Sequence, residues 1–397
     1  MTDNIDNITF IDFETKALPG STINDANIKT AGTYRYTKST FAIILAGATA
    51  NEPVWNRNVP DFANGAMRWR DMPDSLHYAY ELARHGEHWF AAFNAGFDRE
   101  VWNECTYDFP PLEPEMIIDV MAQATSSNLP PNLEGASKAI NRHGKQPDGK
   151  LLINMFCGVR GWTPQDHPDE WARFNTYADQ DVDEMREVFR ATRPLSREDW
   201  EDYWVSERIN QRGIHIDLPF AERAATVAVA DVARSNRLLR HLTGGAVTKV
   251  TEAAKIATYL YNNIPYAEAR ELLVKEWDEE AEDDLKVGKL SLERQRVSSV
   301  LAFYAALEDK QGALSDTDQA LVDILTIREF GGSTSPFKFQ KMLDQHDGGD
   351  LKGSYVFNGA QQTGRYSSKG VQIHNLNRSS LGKHEVEAIE MINELEL

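Results

Sequence analysis

Ile8-Thr9-Phe10-Ile11-Asp12-Phe13-Glu14-Thr15 decides how this chain is read: an apolar run with the character of a buried β-strand closes on two acids. Side chains at i and i+2 of a strand share a face, so Asp12 and Glu14 point the same way. Two carboxylates side by side at the end of a buried strand repel each other unless a cation sits between them. Their oxygens are hard ligands of the kind that Mg²⁺ and Mn²⁺ prefer. An Asp-x-Glu pair alone also fits a solvated strand end, so its meaning depends on acids elsewhere in the chain.

Working outward, residues 41–50 (FAIILAGATA) read as a second strand, 75–84 as a helix and 89–93 as another short strand. Asn94-Ala95-Gly96-Phe97-Asp98 leads into a helix through 99–103, Ile117-Ile118-Asp119-Val120 begins a further element, and a helix covers about 169–190. Strands interleaved with helices predict an α/β domain over residues 1–195. From 197 the pattern turns helical, at 201–213, 221–242, 251–262, 290–307 and 317–330, which predicts a mostly α region over 196–335. Residues 336–397 form a third part, Gly-rich and basic, with a helical end.

At 397 residues the chain is long enough for two or three cores. Its 41% hydrophobic and 26% charged residues are those of an ordinary globular protein. It has no run of about 18 apolar residues to span a membrane. The start, Met1-Thr2-Asp3-Asn4, is unlike a signal peptide, and Cys105 and Cys157 make neither a disulfide framework nor a zinc spacing. A cytoplasmic location without a membrane partner is expected. The net charge of −19 weighs against nucleic acid, whose phosphates attract lysine and arginine. That charge is unevenly spread, however. Seven acids fall within 276–284, whereas 331–384 carries seven Lys/Arg against three Asp/Glu. An acidic protein can still hold DNA in a locally basic cleft.

The further acids occur in two places. Asn94 and Asp98 are spaced i, i+4, as are Tyr177 and Asp181, which puts each pair on one helix face a turn apart. Asp12, Glu14, Asp98 and Asp181, with Tyr177 beside the last, make chemical sense as a two-metal phosphodiesterase centre. Two metals about 4 Å apart activate a water and stabilise the leaving 3′-oxygen. Four carboxylates offset their charge, and the tyrosine hydroxyl orients the water. Asp179, Asp183 and Glu184, which flank the last pair, read as solvated helix residues, and Asp119 is the substitute should Asp98 be misplaced.

These motifs resemble the DEDD family of 3′→5′ exonucleases, in the subgroup with tyrosine in the third motif: Asp12-x-Glu14, Asn94-x₃-Asp98, Tyr177-x₃-Asp181. The resemblance implies an RNase H-like domain, a mixed sheet flanked by helices, with two Mg²⁺ (or Mn²⁺) ions. It implies that Asp12 touches both metals, that Glu14 and Asp181 hold the metal activating water, and that Asp98 serves the second metal largely through water. It also implies that Asn94 of the second motif contacts DNA.

A second resemblance covers Gly359-Ala360-Gln361-Gln362-Thr363-Gly364-Arg365-Tyr366-Ser367-Ser368 and Val371-Gln372-Ile373-His374-Asn375-Leu376-Asn377-Arg378. It is similar to the Thr-Gly-Arg-x-Ser…Gln-Asn-x-x-Arg motif that opens the palm of family A DNA polymerases, phage-type members above all, and departs from it at His374. The resemblance implies contact with a primer–template duplex. Physically, Arg365, Lys369 and Arg378 supply charge, while Thr363, Gln372 and Asn375 supply hydrogen bonds to the backbone. The helical region would then be the thumb, with its tip at 243–255 and Lys249 on the DNA. Lys338, Gln340 and Lys341 are further candidates to face the duplex.

The catalytic aspartates of family A polymerases follow the Thr-Gly-Arg motif, and this chain ends at Leu397 without them. The expectation is a proofreading 3′→5′ exonuclease acting on single-stranded 3′ ends, without polymerisation by this chain alone. A second polypeptide carrying the remainder would be its partner. The alternatives are a non-catalytic DNA-binding subunit of a split polymerase and an RNA-processing exonuclease of the same chemistry.

Overall fold

The computed structural model describes residues 5–22, 24–60, 62, 65–142, 148–159, 162–275, 289–331, 336–360, 362–376 and 382–395. Its contacts divide the chain into two units, 1–218 with 341–377, and 219–340 with 378–397. This partition differs from the one expected from sequence at both boundaries. Helix 197–212 belongs with the first unit because Trp200, Tyr203 and Trp204 are buried in that unit's core. Residues 341–377 belong there too.

The first unit is built on a five-stranded mixed sheet: β1 (Ile8–Ala17), β2 (Thr40–Thr49), β3 (Trp55–Asn58), β4 (Trp89–Ala92) and β5 (Ile117–Asp119), in the order β3-β2-β1-β4-β5. β2 and β3 run antiparallel to their neighbours, whereas β4 and β5 run parallel to β1. The helices of this unit that matter below are α1 (Ile28–Ala31), α2 (Thr33–Thr37), α3 (Asp74–Arg84), α4 (Ala95–Glu104), α5 (Val120–Ser126), α6 (Leu133–Ala139), α7 (Gly149–Phe156), α8 (Pro168–Ala191) and α9 (Arg197–Arg212). Gly149 and Lys150 open α7.

Alternation along β1 sorts its side chains onto two cores. Ile8 and Phe10 join α8 and α9 on one face, and Ile11 and Phe13 join α3 and α4 on the other. Burying both faces of a central strand explains why this stretch is almost wholly apolar. Asp12 and Glu14 are its only positions that are not fully buried. By the period of two they share the face of Ile8 and Phe10, the one covered by α8.

The second unit is helical, as its pattern predicts. Helices Leu218–Leu242, Ala253–Asn263, Arg294–Gln311 and Asp316–Gly331 enclose a core of Leu239, Ile256, Leu260, Val300, Tyr304, Ile324 and others. The acidic run at 276–284 lies outside the described residues. No helix among the described residues is long and apolar enough to cross a membrane.

Candidate active site

The acids of the first two motifs meet at the carboxyl ends of the parallel strands, where open α/β sheets commonly hold ligands. β1 pairs with β4 only over Ile8–Phe10. Three residues further on, the Phe13 N–H donates to Asp98 Oδ1 at 3.0 Å, joining positions 85 residues apart. Asp98 therefore sits against the backbone between Asp12 and Glu14. It lies in the first turn of α4 and is 2% exposed. Burial pushes its carboxyl well above the ordinary range, Asp12 pushes further, and the Phe13 N–H works in the opposite direction. Asp119 and Glu14 add to the rise.

Asp119 takes a different part. Its Oδ1 accepts from the Asn94 N–H at 2.9 Å and from the Met121 N–H at 2.8 Å, capping α5 and fixing the turn before α4. Burial raises its pKa to about 6 despite those bonds. It is thus a backbone anchor beside the site rather than a substitute for Asp98. Asn94 is the N-cap of α4 in the left-handed conformation, φ 69°, which asparagine tolerates better than most residues.

Two fixed points place α8 along β1. The Phe10 ring meets Phe189 at 5.5 Å between centroids. At the other end Lys16 Nζ donates to Phe156 O at 3.1 Å, and Phe156 stacks on Phe174 at 5.5 Å. α8 therefore runs antiparallel to β1 across the face bearing Asp12 and Glu14. From Phe189 back to Asp181 a helix rises about 12 Å, and from Phe10 to Glu14 a strand rises about 13 Å. Asp181 (2% exposed) thus lies level with the acidic end of β1, and Tyr177 (3% exposed) follows one helical turn further along. Among the described residues, no set of three or more His, Cys, Asp or Glu side chains is gathered closely enough to hold a metal ion as it stands.

Tyr177 is fixed from behind. It packs on Phe174 at 6.0 Å and 18°, and Gly149 of α7 lies directly against its ring. A Cβ at Gly149 would come within 2.5 Å of Tyr177 Cε2. Replacing glycine by alanine in an open helix gains about 1 kcal/mol. Here Gly149→Ala is expected to lower Tm instead, and pairing it with Tyr177→Ala should shrink that loss, as thermal melts of the three variants would show.

Two residues beside Glu14 escaped the reading of the sequence. Cys157 Sγ–H donates to Glu14 Oε2 at 3.7 Å. Lys16, 8% exposed, spends its ammonium on the carbonyls of Phe156 and Trp162, and burial lowers its pKa. Lys16 continues the i, i+2 series of Asp12 and Glu14, a pattern that marks it in the sequence. Glu184 corrects another expectation: it is 3% exposed, bonded by the Ser137 hydroxyl and 3.5 Å from Arg142 Nε. Asp179 is half-buried and accepts from Asn56 Nδ2 at 3.0 Å, and Asp183 pairs with Arg186.

The Thr-Gly-Arg segment forms a hairpin of strands Tyr355–Ala360 and Arg365–Ser368. Asn210 of α9 holds it by accepting from the Tyr355 N–H at 2.9 Å and donating to Tyr355 O at 3.0 Å. Thr363, Arg365, Lys369, Gln372 and Asn375 are all exposed, and Gln372 is left-handed, φ 55°. Arg378 lies outside the described residues. In the second unit Lys249 is exposed, whereas the Thr248 N–H and hydroxyl are both taken by Glu252.

No family model matches the chain. A DNA polymerase of Bacillus phage SP02 is 25% identical over 389 residues, an overlap covering 93% of this chain and 52% of that polymerase. The chain thus spans about half the length of the relative it matches. Among solved structures, the POL domain of Pol1 from M. smegmatis, in complex with DNA primer-template and dNTP, aligns over 94% of this chain and 53% of its own. That alignment has a TM-score of 0.49 and 10% identity, a likeness too loose to bear an inference.

Proposed function

We propose that this chain is the exonuclease-bearing part of a phage-type DNA polymerase, hydrolysing the 3′-terminal phosphodiester of single-stranded or frayed DNA. The observation that carries this reading is the Phe13 N–H···Asp98 bond. It brings the second acidic motif onto the strand of the first, and α8 lays Tyr177 and Asp181 across the same end. The relationship to a phage DNA polymerase over most of the chain supports DNA as the substrate.

In this reading Asp12, Glu14, Asp98 and Asp181 would hold two Mg²⁺ or Mn²⁺ ions, whose charge would relieve the burial and the mutual repulsion that raise the Asp98 pKa. Bound there, the ions supply a nucleophilic water and charge for the leaving oxygen. Tyr177 orients that water through its hydroxyl without ionising, the Phe13 N–H keeps Asp98 in place, and Asp119 keeps α4 in register. The hairpin at 355–368 takes the role of the start of a palm with its exposed polar residues on the duplex backbone, and the helices of the second unit that of a thumb with Lys249 at its tip.

The wild-type chain with a 5′-labelled oligodeoxynucleotide and Mn²⁺ should produce a ladder shortening from the 3′ end. The ladder should vanish in EDTA and with Asp12→Ala. Internal cuts, or no Mn²⁺-dependent trimming, would sink the proposal. Equal trimming of RNA and DNA would move the assignment to the RNA-processing relatives.

A further inference from the structure

In the exonuclease reading Glu14 would hold the metal that activates water, so the orientation of its carboxylate matters. The strand pairing beside it is irregular. β1 and β2 stay in step from Thr9 to Glu14 and then slip: Glu14 faces Ile44, but Thr15 faces Ala42, so Ile43 is unmatched on β1. A slip of this kind re-aims the side chains next to it. On one side of it the Phe13 N–H is tied to Asp98, and on the other the Thr15 and Tyr36 hydroxyls bond at 2.7 Å. These bonds fix the neighbours of Glu14, and neither touches its carboxylate.

The element that reaches the carboxylate is the end of α7. The Ala17 N–H donates to Cys157 O at 3.1 Å, and Lys16 Nζ donates to Phe156 O at 3.1 Å. Together they zip the last turn of α7 to β1 just past the slip. A lysine suits the negative end of a helix. The Lys16 ammonium also stands over the Phe62 ring at 5.5 Å, which fixes its long chain. Docked in this way, Cys157, the C-cap of α7, directs its thiol at Glu14 Oε2, 3.7 Å away. A carboxylate oxygen has two lone pairs, so Oε2 can accept from the thiol and still face a cation.

Cys157 is half-buried, while Leu152, Met155 and Phe156 sink the inner face of α7 into the core. At its first residue the same helix carries Gly149 against the Tyr177 ring. One short helix thus touches an acid of the first motif and the tyrosine of the third.

We propose that Cys157 is a positioning residue: its thiol holds the Glu14 carboxylate in the orientation that takes a metal, and Lys16 holds the helix that carries the thiol. The consequence for metal binding rests on the exonuclease reading. The thiol–carboxylate bond does not, and it is measured without catalysis.

The experiment pairs Mn²⁺ titration, followed by electron paramagnetic resonance, with infrared spectra of the full chain. Site-bound Mn²⁺ is the share lost in Asp12→Ala, because a chain of net charge −19 also collects Mn²⁺ loosely. Cys157→Ala should weaken that share on the order of tenfold, the scale for removing a hydrogen-bond partner of a metal-binding carboxylate. The Mn²⁺ concentration for half-maximal trimming should rise by the same factor, with the rate at saturating Mn²⁺ kept. Cys157→Ser retains a hydroxyl donor and should recover most of the loss. Leu151→Ala, at a position of α7 that is 57% exposed, should change neither quantity. In the infrared, the S–H stretch that vanishes in Cys157→Ser should move to higher frequency in Glu14→Gln, since a neutral amide oxygen accepts more weakly than a carboxylate. Unaltered Mn²⁺ affinity in Cys157→Ala, or a serine variant no better than the alanine one, would overturn the proposal. So would an S–H band indifferent to Glu14→Gln. A band that responds to Glu14→Gln in a chain that binds no Mn²⁺ through Asp12 would uphold the bond and overturn the exonuclease reading.

Discussion

Asp98→Asn is expected to cut trimming by on the order of 10³-fold, the scale for losing one preorganised electrostatic group, while making the metal-free protein more stable. The two effects share a cause. Asp98 is 2% exposed, and the charges of Asp12, Asp119 and Glu14 add to the cost that burial puts on its carboxylate. Asparagine keeps an oxygen to accept the Phe13 N–H bond, so the local structure survives. What disappears is a buried negative charge, and with it the repulsion that burial intensifies. A gain of about 1 kcal/mol, roughly 2–4 °C in Tm for a unit of this size, is expected in EDTA. Mg²⁺ should then raise Tm less in the variant than in wild type, because one ligand charge is gone. Melts in EDTA and in Mg²⁺, with trimming assays alongside, check all three statements. A variant trimming at the wild-type rate would remove Asp98 from the site.

Arg99→Met should have the largest effect on stability, a loss of about 3–5 kcal/mol. Arg99 is 0% exposed, with Nη2 3.3 Å from Glu100 Oε1 and 3.5 Å from Glu207 Oε2. It also donates to the Tyr34 hydroxyl at 3.3 Å, while its Nε and Nη1 have no hydrogen-bond partner among the described residues. The cation is therefore imperfectly satisfied but compensates two buried acids, and removing it orphans both. Burial already holds Glu100 at about 7 against an ordinary 4.5, with Arg99 pulling it down. A carboxyl raised in the folded state favours folding most at low pH, and that contribution fades as pH climbs from 4.5 through about 7. Without Arg99 the Glu100 pKa rises further, so the variant's deficit should be larger at pH 8 than at pH 5. Urea midpoints at the two pH values test the sign. Adding Glu207→Gln to Arg99→Met should recover much of the loss, since one orphaned charge is then absent.

Much of this was legible because local chemistry and tertiary position agree. Ile8–Phe13 is apolar because both faces of β1 are covered, and Asp12 and Glu14 stand out because they interrupt that pattern. Tyr177 and Asp181 both fall inside α8, as their spacing predicts, whereas Asn94 is the left-handed N-cap before α4 and does not share a helix face with Asp98. What was not legible depends on partners far away in sequence. Arg99, Glu100 and Glu207 are charged residues that composition assigns to the surface, yet they are buried because they neutralise one another across 108 positions from α4 to α9. Glu184 is drawn inside by Ser137 and Arg142 on a neighbouring stretch that carries no signal of its own.

The first unit is made of two pieces of chain, and the antiparallel pairing of Ile214–His215 with Asp350–Leu351 ties the point of departure to the point of return. Closing a loop costs entropy that grows only with the logarithm of its length, about 0.6 kcal/mol for each doubling. The excursion through 219–340 is therefore a nearly weightless passenger to the fold that carries the acids. Lengthening or shortening that excursion is expected to leave the carboxylate end of β1 in its present shape.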